Sequence, residues 1–277
     1  MNIYIKIFIP LLFISTLFLC VLHLLDIPKE KTEIAIHNIE KTLIFAINAN
    51  EINTLMLDKI SKNKKVLIYN HGTVNPRKLN SCSKYVPSSI TDNAFRDFFI
   101  IILCSNSIEK PYPKATGNYT FSRANEIKRL VDKVLEDGFS SNDIFLAGHS
   151  AGAWSSMLFA SLNPEKYNSI IAFAPAFAGT RQSQIQYPNW RLANNYQMQK
   201  LKSGAPIRGL LFTYEKDPFM QPNDFLDLIA LFSGSLRLIS YDCHDSEHAH
   251  MTHSLDCMSH QTKSLIESLL SNGEAFP

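Results

Sequence analysis

Two stretches of the chain carry side chains suited to acyl transfer, and they lie far apart in sequence. The first is Gly148-His149-Ser150-Ala151-Gly152, which fits G-x-S-x-G. A serine at the tip of a very tight strand-to-helix turn needs neighbours without bulk, so that the chain can pass its surroundings. Gly148, Ala151 and Gly152 meet that demand. Such a turn lifts the hydroxyl clear of a sheet and aims the next helix N-terminus at the reacting oxygen. The pentapeptide alone recurs by chance, and its bland alternative is a turn with a helix-capping serine. The second stretch runs Cys243-His244-Asp245-Ser246-Glu247-His248-Ala249-His250-Met251-Thr252-His253, with His260 beyond it. A serine nucleophile needs a neighbour that takes its proton near neutral pH, and only histidine does so unperturbed. If Ser150 attacks, this loop must hold its base. Spacing does not choose among His248, His250 and His253. His250 is selected because it sits mid-loop, with enough chain on both sides to reach over a sheet and apolar Met251 to pack its ring.

A third group is needed to orient the imidazole. Asp217 lies just past the apolar run Ile207 to Tyr214, where a carboxylate can hold the ring and stabilise its charged form. An aspartate before Pro218 also reads as a simple turn residue, and Asp224 and Glu215 are its rivals. The developing oxyanion needs two backbone N–H donors. Ala151, just after the serine, and Thr73, after His71-Gly72 at the end of an earlier strand, are assigned to it. Gly72 lets the backbone come close with no side chain in the way. His248, His250 and His253 also invite a zinc reading. That reading leaves Ser150 unexplained and relies on a loop as cage, so no metal is expected.

The elements that must position these groups alternate. Lys65 to Asn70 is a short β-rich run, and Phe98 to Cys104 is almost continuously apolar, as a strand buried on both faces would be. Phe121 to Asp137 has helical spacing, with Ile127, Leu130, Val131, Val134 and Leu135 on one face and Gly138 as the stop. Asp143 to Ala147 reads as the strand before the serine turn, and Ala153 to Leu162 as the helix after it. Ser169 to Ala174, Ile207 to Tyr214 and Leu236 to Tyr241 are further strands, and His260 to Leu270 is a closing amphipathic helix. Thr32 to Lys62 is ambiguous, with room for one or two edge strands and a short helix. Strands separated by helix-length segments imply parallel pairing through right-handed crossovers, an α/β fold.

From about Val66 to Leu270 the sequence resembles the α/β-hydrolase superfamily, and more loosely its dienelactone-hydrolase-like and small-esterase branches. Ile144 to Gly152 and Ala172-Phe173-Ala174-Pro175 carry the resemblance. It implies a mainly parallel, doubly wound sheet flanked by helices, a Ser-Asp-His triad, a backbone oxyanion hole and no cofactor. Dienelactone hydrolases proper use a cysteine nucleophile where this chain has Ser150, so their substrate is not implied. The histidine-rich loop is longer than the short Gly-His turn usual in the superfamily. No long insertion separates Pro175 from Ile207, which implies no large lid domain and a modest acyl group.

Composition fits this picture. A chain of 277 residues with 45% apolar and 19% charged residues suits one large globular domain, here residues 32–277. A formal net charge of +2, with no long basic run, argues against a nucleic-acid partner. Residues 1–31 form a separate signal or anchor segment. Ile7 to Leu22 lacks charge, follows Lys6 and precedes Asp26 and Lys29; it suits a signal-peptide core and is marginal for a membrane span, which needs about 20 residues. Export with an uncleaved membrane anchor is the expectation. Setting Cys20 aside leaves Cys82, Cys104, Cys243 and Cys257, an even number with three possible pairings. Cys243 with Cys257 would close a short loop and leave Cys82 to Cys104; the alternative is four reduced thiols. The function that follows is cleavage of a small-molecule ester or related acyl bond. Its alternatives are a non-catalytic binding protein on the same scaffold, or an acyltransferase or peptidase.

Overall fold

The structure, a computed structural model, describes residues 37–39, 42–57, 60–73, 82, 86–87, 90, 98–107, 116–242, 250 and 260–272. The apolar segment 7–22 lies outside them, as do Cys243, Cys257, His248 and His253. Among the described residues no helix is long and apolar enough to cross a membrane.

The strands are β1 (His37–Ile39), β2 (Thr42–Asn48), β3 (Lys65–Asn70), β4 (Phe98–Cys104), β5 (Ile144–His149), β6 (Ser169–Phe173), β7 (Gly209–Tyr214) and β8 (Leu236–Tyr241). They form one sheet in the order β1-β2-β4-β3-β5-β6-β7-β8. Only β1 pairs antiparallel, with β2; the other strands run parallel. Among the described residues the α-helices are α1 (Tyr119–Glu136), α2 (Ala151–Leu162), α3 (Arg181–Gln186), α4 (Pro188–Ser203), α5 (Leu226–Leu231) and α6 (His260–Asn272).

The apolar patterning explains the layers. β4 is buried along its whole length, as its unbroken apolar sequence requires of a strand covered on both faces. Alternation along β3 divides the core in two. Val66 and Ile68 face a cluster containing Ile127 of α1, Trp154 of α2 and Leu201 of α4. Leu67 and Tyr69 join the opposite cluster, which includes Phe145, Phe173, Phe212 and, from α6, Ile266 and Leu269. Helices therefore cover both faces of a seven-strand parallel array. Edge strand β8 has only Leu236 fully buried.

The boundaries at the serine turn differ from the pattern-based reading. The strand read as Asp143 to Ala147 continues to His149, and the helix read from Ala153 begins at Ala151. One residue, Ser150, separates them, because the small residues around it permit a tighter reversal than the apolar periodicity shows. Among its described residues the ambiguous stretch before Lys62 carries β1, β2 and a 3₁₀ turn at Ile52–Thr54. Cys82 and Cys104 form a disulfide with Cα atoms 5.8 Å apart, tying residue 82 to the end of β4.

Parallel pairing has one consequence for function. The carboxyl ends of β3 to β7 all point to one side, so residues following them converge along one rim, where ligands of open α/β sheets bind.

Candidate active site

Ser150 occupies the turn between β5 and α2 with φ 53° and ψ −124°, a region that non-glycine residues rarely enter and that costs on the order of 1–3 kcal/mol. The surroundings hold it there. Its N–H donates to Phe173 O at 2.9 Å, and its carbonyl accepts from Trp154 N–H at 2.9 Å. A β-carbon on Gly148 would stand 2.7 Å from Ala153 N, and one on Gly152 would overlap the carbonyl oxygens of Asn70 and His71. These two glycines let β3 and α2 close around the turn. Asn70 adds a buried clamp, its Nδ2 donating to Ser156 Oγ at 2.9 Å.

The Ser150 hydroxyl meets the imidazole of His250. Oγ–H donates to His250 Nε2 at 2.8 Å, and His250 Nδ1–H donates to Asp217 Oδ2 at 2.8 Å. Asp217 is 1% exposed, and its other oxygen accepts from Phe219 N–H at 2.8 Å. With both oxygens engaged, the carboxylate cannot swing away from the ring. Two further contacts fix the imidazole. The Phe219 ring lies 4.3 Å from it, centroid to centroid, and His149 Nε2–H donates to the backbone carbonyl of His250 at 2.8 Å. His149 is the variable residue of the pentapeptide, yet it clips the loop of His250 to the strand that carries Ser150.

The end of β3 comes up beside the serine. A β-carbon on Gly72 would stand 3.2 Å from Ser150 Cβ and 3.0 Å from His149 Nδ1, so glycine is what allows the approach. Thr73 follows, its Oγ1 3.5 Å from Tyr119 Oη. Ala151 is the first residue of α2, so its N–H has no partner one turn earlier within the helix. Beneath Gly72 lies a buried polar layer. His71 Nδ1–H donates to Gly72 O at 2.6 Å, and its Nε2 accepts from Ser105 N–H at 3.0 Å. That pairing requires the neutral ring. Burial first, and then the charge of Arg123, push its pKa down to about 4. Arg123 donates through Nη1 to His71 O at 2.9 Å and Gly72 O at 3.3 Å, and through Nε to Ser107 O at 2.9 Å. Burial lowers its pKa, and these three carbonyl acceptors offset the cost of keeping the charge inside.

The structure thus brings together Ser150, Asp217 and His250; Ala151 follows the serine, and Thr73 follows Gly72, whose backbone approaches it. The rivals of Asp217 are engaged elsewhere. Asp224 pairs with Arg181 at 2.6 Å, and Glu215 accepts from Ser240 Oγ at 2.8 Å. Among the described residues no cluster of three metal-ligating side chains occurs. Sequence reasoning missed His149, Arg123 and Phe219. For His149 the signal was present, a histidine inside the motif itself; Arg123 reads as one more polar residue of an amphipathic helix. Chemically, the arrangement can draw a proton from a hydroxyl, hold the resulting imidazolium against a carboxylate, and return the proton to a departing atom.

With this geometry in view, solved structures can be compared. The chain is similar to Est1E from Butyrivibrio proteoclasticus, with a TM-score of 0.53 at 12% identity over 78% of this chain and 90% of that one. It is also similar to the Pyrococcus furiosus esterase Pf2001, with a TM-score of 0.51 at 10% identity over 76% of this chain and 85% of that one. No family model and no curated protein matches the chain. At such identities the likeness is one of architecture. The chain has the α/β-hydrolase fold, without a large lid among its described residues.

Proposed function

We propose that the protein is a serine hydrolase that cleaves a small-molecule carboxylic ester through an acyl-enzyme intermediate. The observation that carries this reading is the unbroken relay of two 2.8 Å hydrogen bonds from Ser150 through His250 to Asp217. In the first half-reaction Ser150 Oγ attacks the carbonyl carbon while His250 Nε2 takes its proton. The oxyanion is held by the N–H groups of Ala151 and Thr73, the second of these delivered by the Gly72 backbone. Collapse breaks the ester C–O bond as His250 protonates the leaving oxygen. A water then enters, gives a proton to His250 and releases the acid. Asp217 stays ionised and holds the imidazolium. The strained backbone at Ser150 keeps the hydroxyl aimed before substrate arrives, so little reorganisation is left for the transition state.

The test is labelling with a fluorophosphonate, which reacts only with an activated serine. Wild type should label, and Ser150→Ala should lose labelling together with at least about a 10³-fold share of kcat on simple aryl esters. An unreactive wild type would favour a non-catalytic binding protein, and transfer of the acyl group to an alcohol in preference to water would favour an acyltransferase.

Export and anchoring through residues 7–22 belong to the same proposal. The Cys82–Cys104 disulfide supports an oxidising compartment, where such links persist. Fractionation of cells producing the full chain, followed by detection in membrane, soluble and secreted material, tests it.

A further inference from the structure

A cavity of about 290 Å³ lies beyond Phe219, between α3, α4 and the segment after Asp217. Its wall nearest the site is Phe219, the same residue whose ring lies 4.3 Å from the His250 imidazole. The lining joins an apolar body, made by Phe219, Met220 and Ile185, to a donor-rich end that includes Arg181, Arg191 and Asn195. One acid also lines it, Asp224, and it is already committed. Asp224 Oδ2 accepts from Arg181 Nη1 at 2.6 Å and from Gln221 N–H at 2.8 Å. Arg191 has no ion pair among the described residues, so among the described lining residues the cationic side chains outnumber the acids by one.

We infer that this cavity takes the leaving group of an ester whose alcohol portion ends in a carboxylate, with Arg191 as its counter-ion. The inference rests on the proposed hydrolase reading and names its substrate class. The atom that His250 Nε2 protonates is the leaving oxygen, and Phe219, which packs on that imidazole, also lines the cavity, so the inference assigns the cavity to the leaving group. A flat apolar body bearing a carboxylate would lie along Phe219 and Met220 and present its charge to Arg191. A guanidinium holds a carboxylate through two parallel N–H···O bonds. The cover helices suit such discrimination, because they place the charge without forming part of the proton relay.

Two aryl acetates test this: 4-acetoxybenzoate, which carries the carboxylate, and 4-tolyl acetate, a neutral counterpart of similar size. In each, water's oxygen ends in acetate and the phenol leaves with the proton delivered by His250. The ratio of kcat/KM for the first over the second should be about tenfold lower in Arg191→Gln than in wild type, with the neutral ester unchanged. Arg191→Lys, which keeps the charge and loses the two-bond fork, should keep only part of the preference. An equal ratio in wild type and Arg191→Gln would overturn the inference while leaving the hydrolase reading intact. Calorimetry with 4-hydroxybenzoate checks the cavity without turnover. Binding to wild type that Arg191→Gln loses supports the assignment even if neither acetate is cleaved, and no binding to wild type overturns it.

Discussion

The turn at Ser150 and the cover formed by α3 and α4 stand on the same rim and are built in opposite ways. Every residue of α2 from Ala151 to Ser161 is buried. In α4 only Gln197, Met198 and Leu201 are buried, while Leu192 and Tyr196 are 62% and 55% exposed. The first region holds a strained serine, and packing on all sides is what keeps such a conformation populated. Among the described residues the second region meets the segment after Asp217 through the Arg181 N–H to Pro218 O bond at 2.8 Å, and it meets α2 where Trp154 Nε1–H donates to Gln197 Oε1 at 2.8 Å. On the proposed reading, reactivity belongs to the packed core, and the cover is the part free to change its surface.

Substitutions can break or sharpen that contrast. The largest effect is expected at Gly152→Ala, where the added methyl overlaps two carbonyl oxygens of the β3 end. Stability should fall by about 3 kcal/mol or more, read as a lower denaturant midpoint, and fluorophosphonate labelling should fall with it. A midpoint within error of wild type would show that the turn has slack the geometry does not suggest.

A smaller effect comes from the layer beneath the turn. His71 is held neutral with a pKa near 4 against 6.5 when unfolded, so between those values the unfolded chain binds more protons. Stability contributed by the neutral ring is therefore complete above pH 6.5 and declines as pH falls toward 4. The span corresponds to about 3 kcal/mol at most. Unfolding free energies at pH 7 and pH 4 should differ more in wild type than in His71→Gln by an amount of that order. Parallel pH profiles for the two proteins would remove His71 as the cause.

The smallest effect belongs to the cover. Leu192→Gln, on the exposed face of α4, should change stability by no more than about 0.5 kcal/mol and leave hydrolysis of a neutral ester unaltered. A loss of a few kcal/mol would mean that the cover is integral to the core, and the two regions would no longer differ in kind.

Much of this architecture is legible in the residues. The seven apolar positions of β4 leave little alternative to a doubly covered strand, and β3 and β8 fall on the runs Lys65 to Asn70 and Leu236 to Tyr241. The serine turn is written in its glycines, and Asp217 in its place after a strand. The approach of His250 to Ser150 depends on how far a loop reaches, which side-chain types do not encode, so spacing left three histidines open. The layer of His71, Ser105 and Arg123 was hidden for a related reason. Each reads as an ordinary polar residue, and only the parallel register brings three distant segments under one turn.

The bond from His149 to the His250 carbonyl spans 101 positions of the chain and gives a motif position normally counted as interchangeable a fixed counterpart. Replacing His149 would remove that fastening from the backbone at His250. Among relatives of this chain, histidine at the second place of the pentapeptide should be inherited together with the particular length and shape of the loop that it fastens.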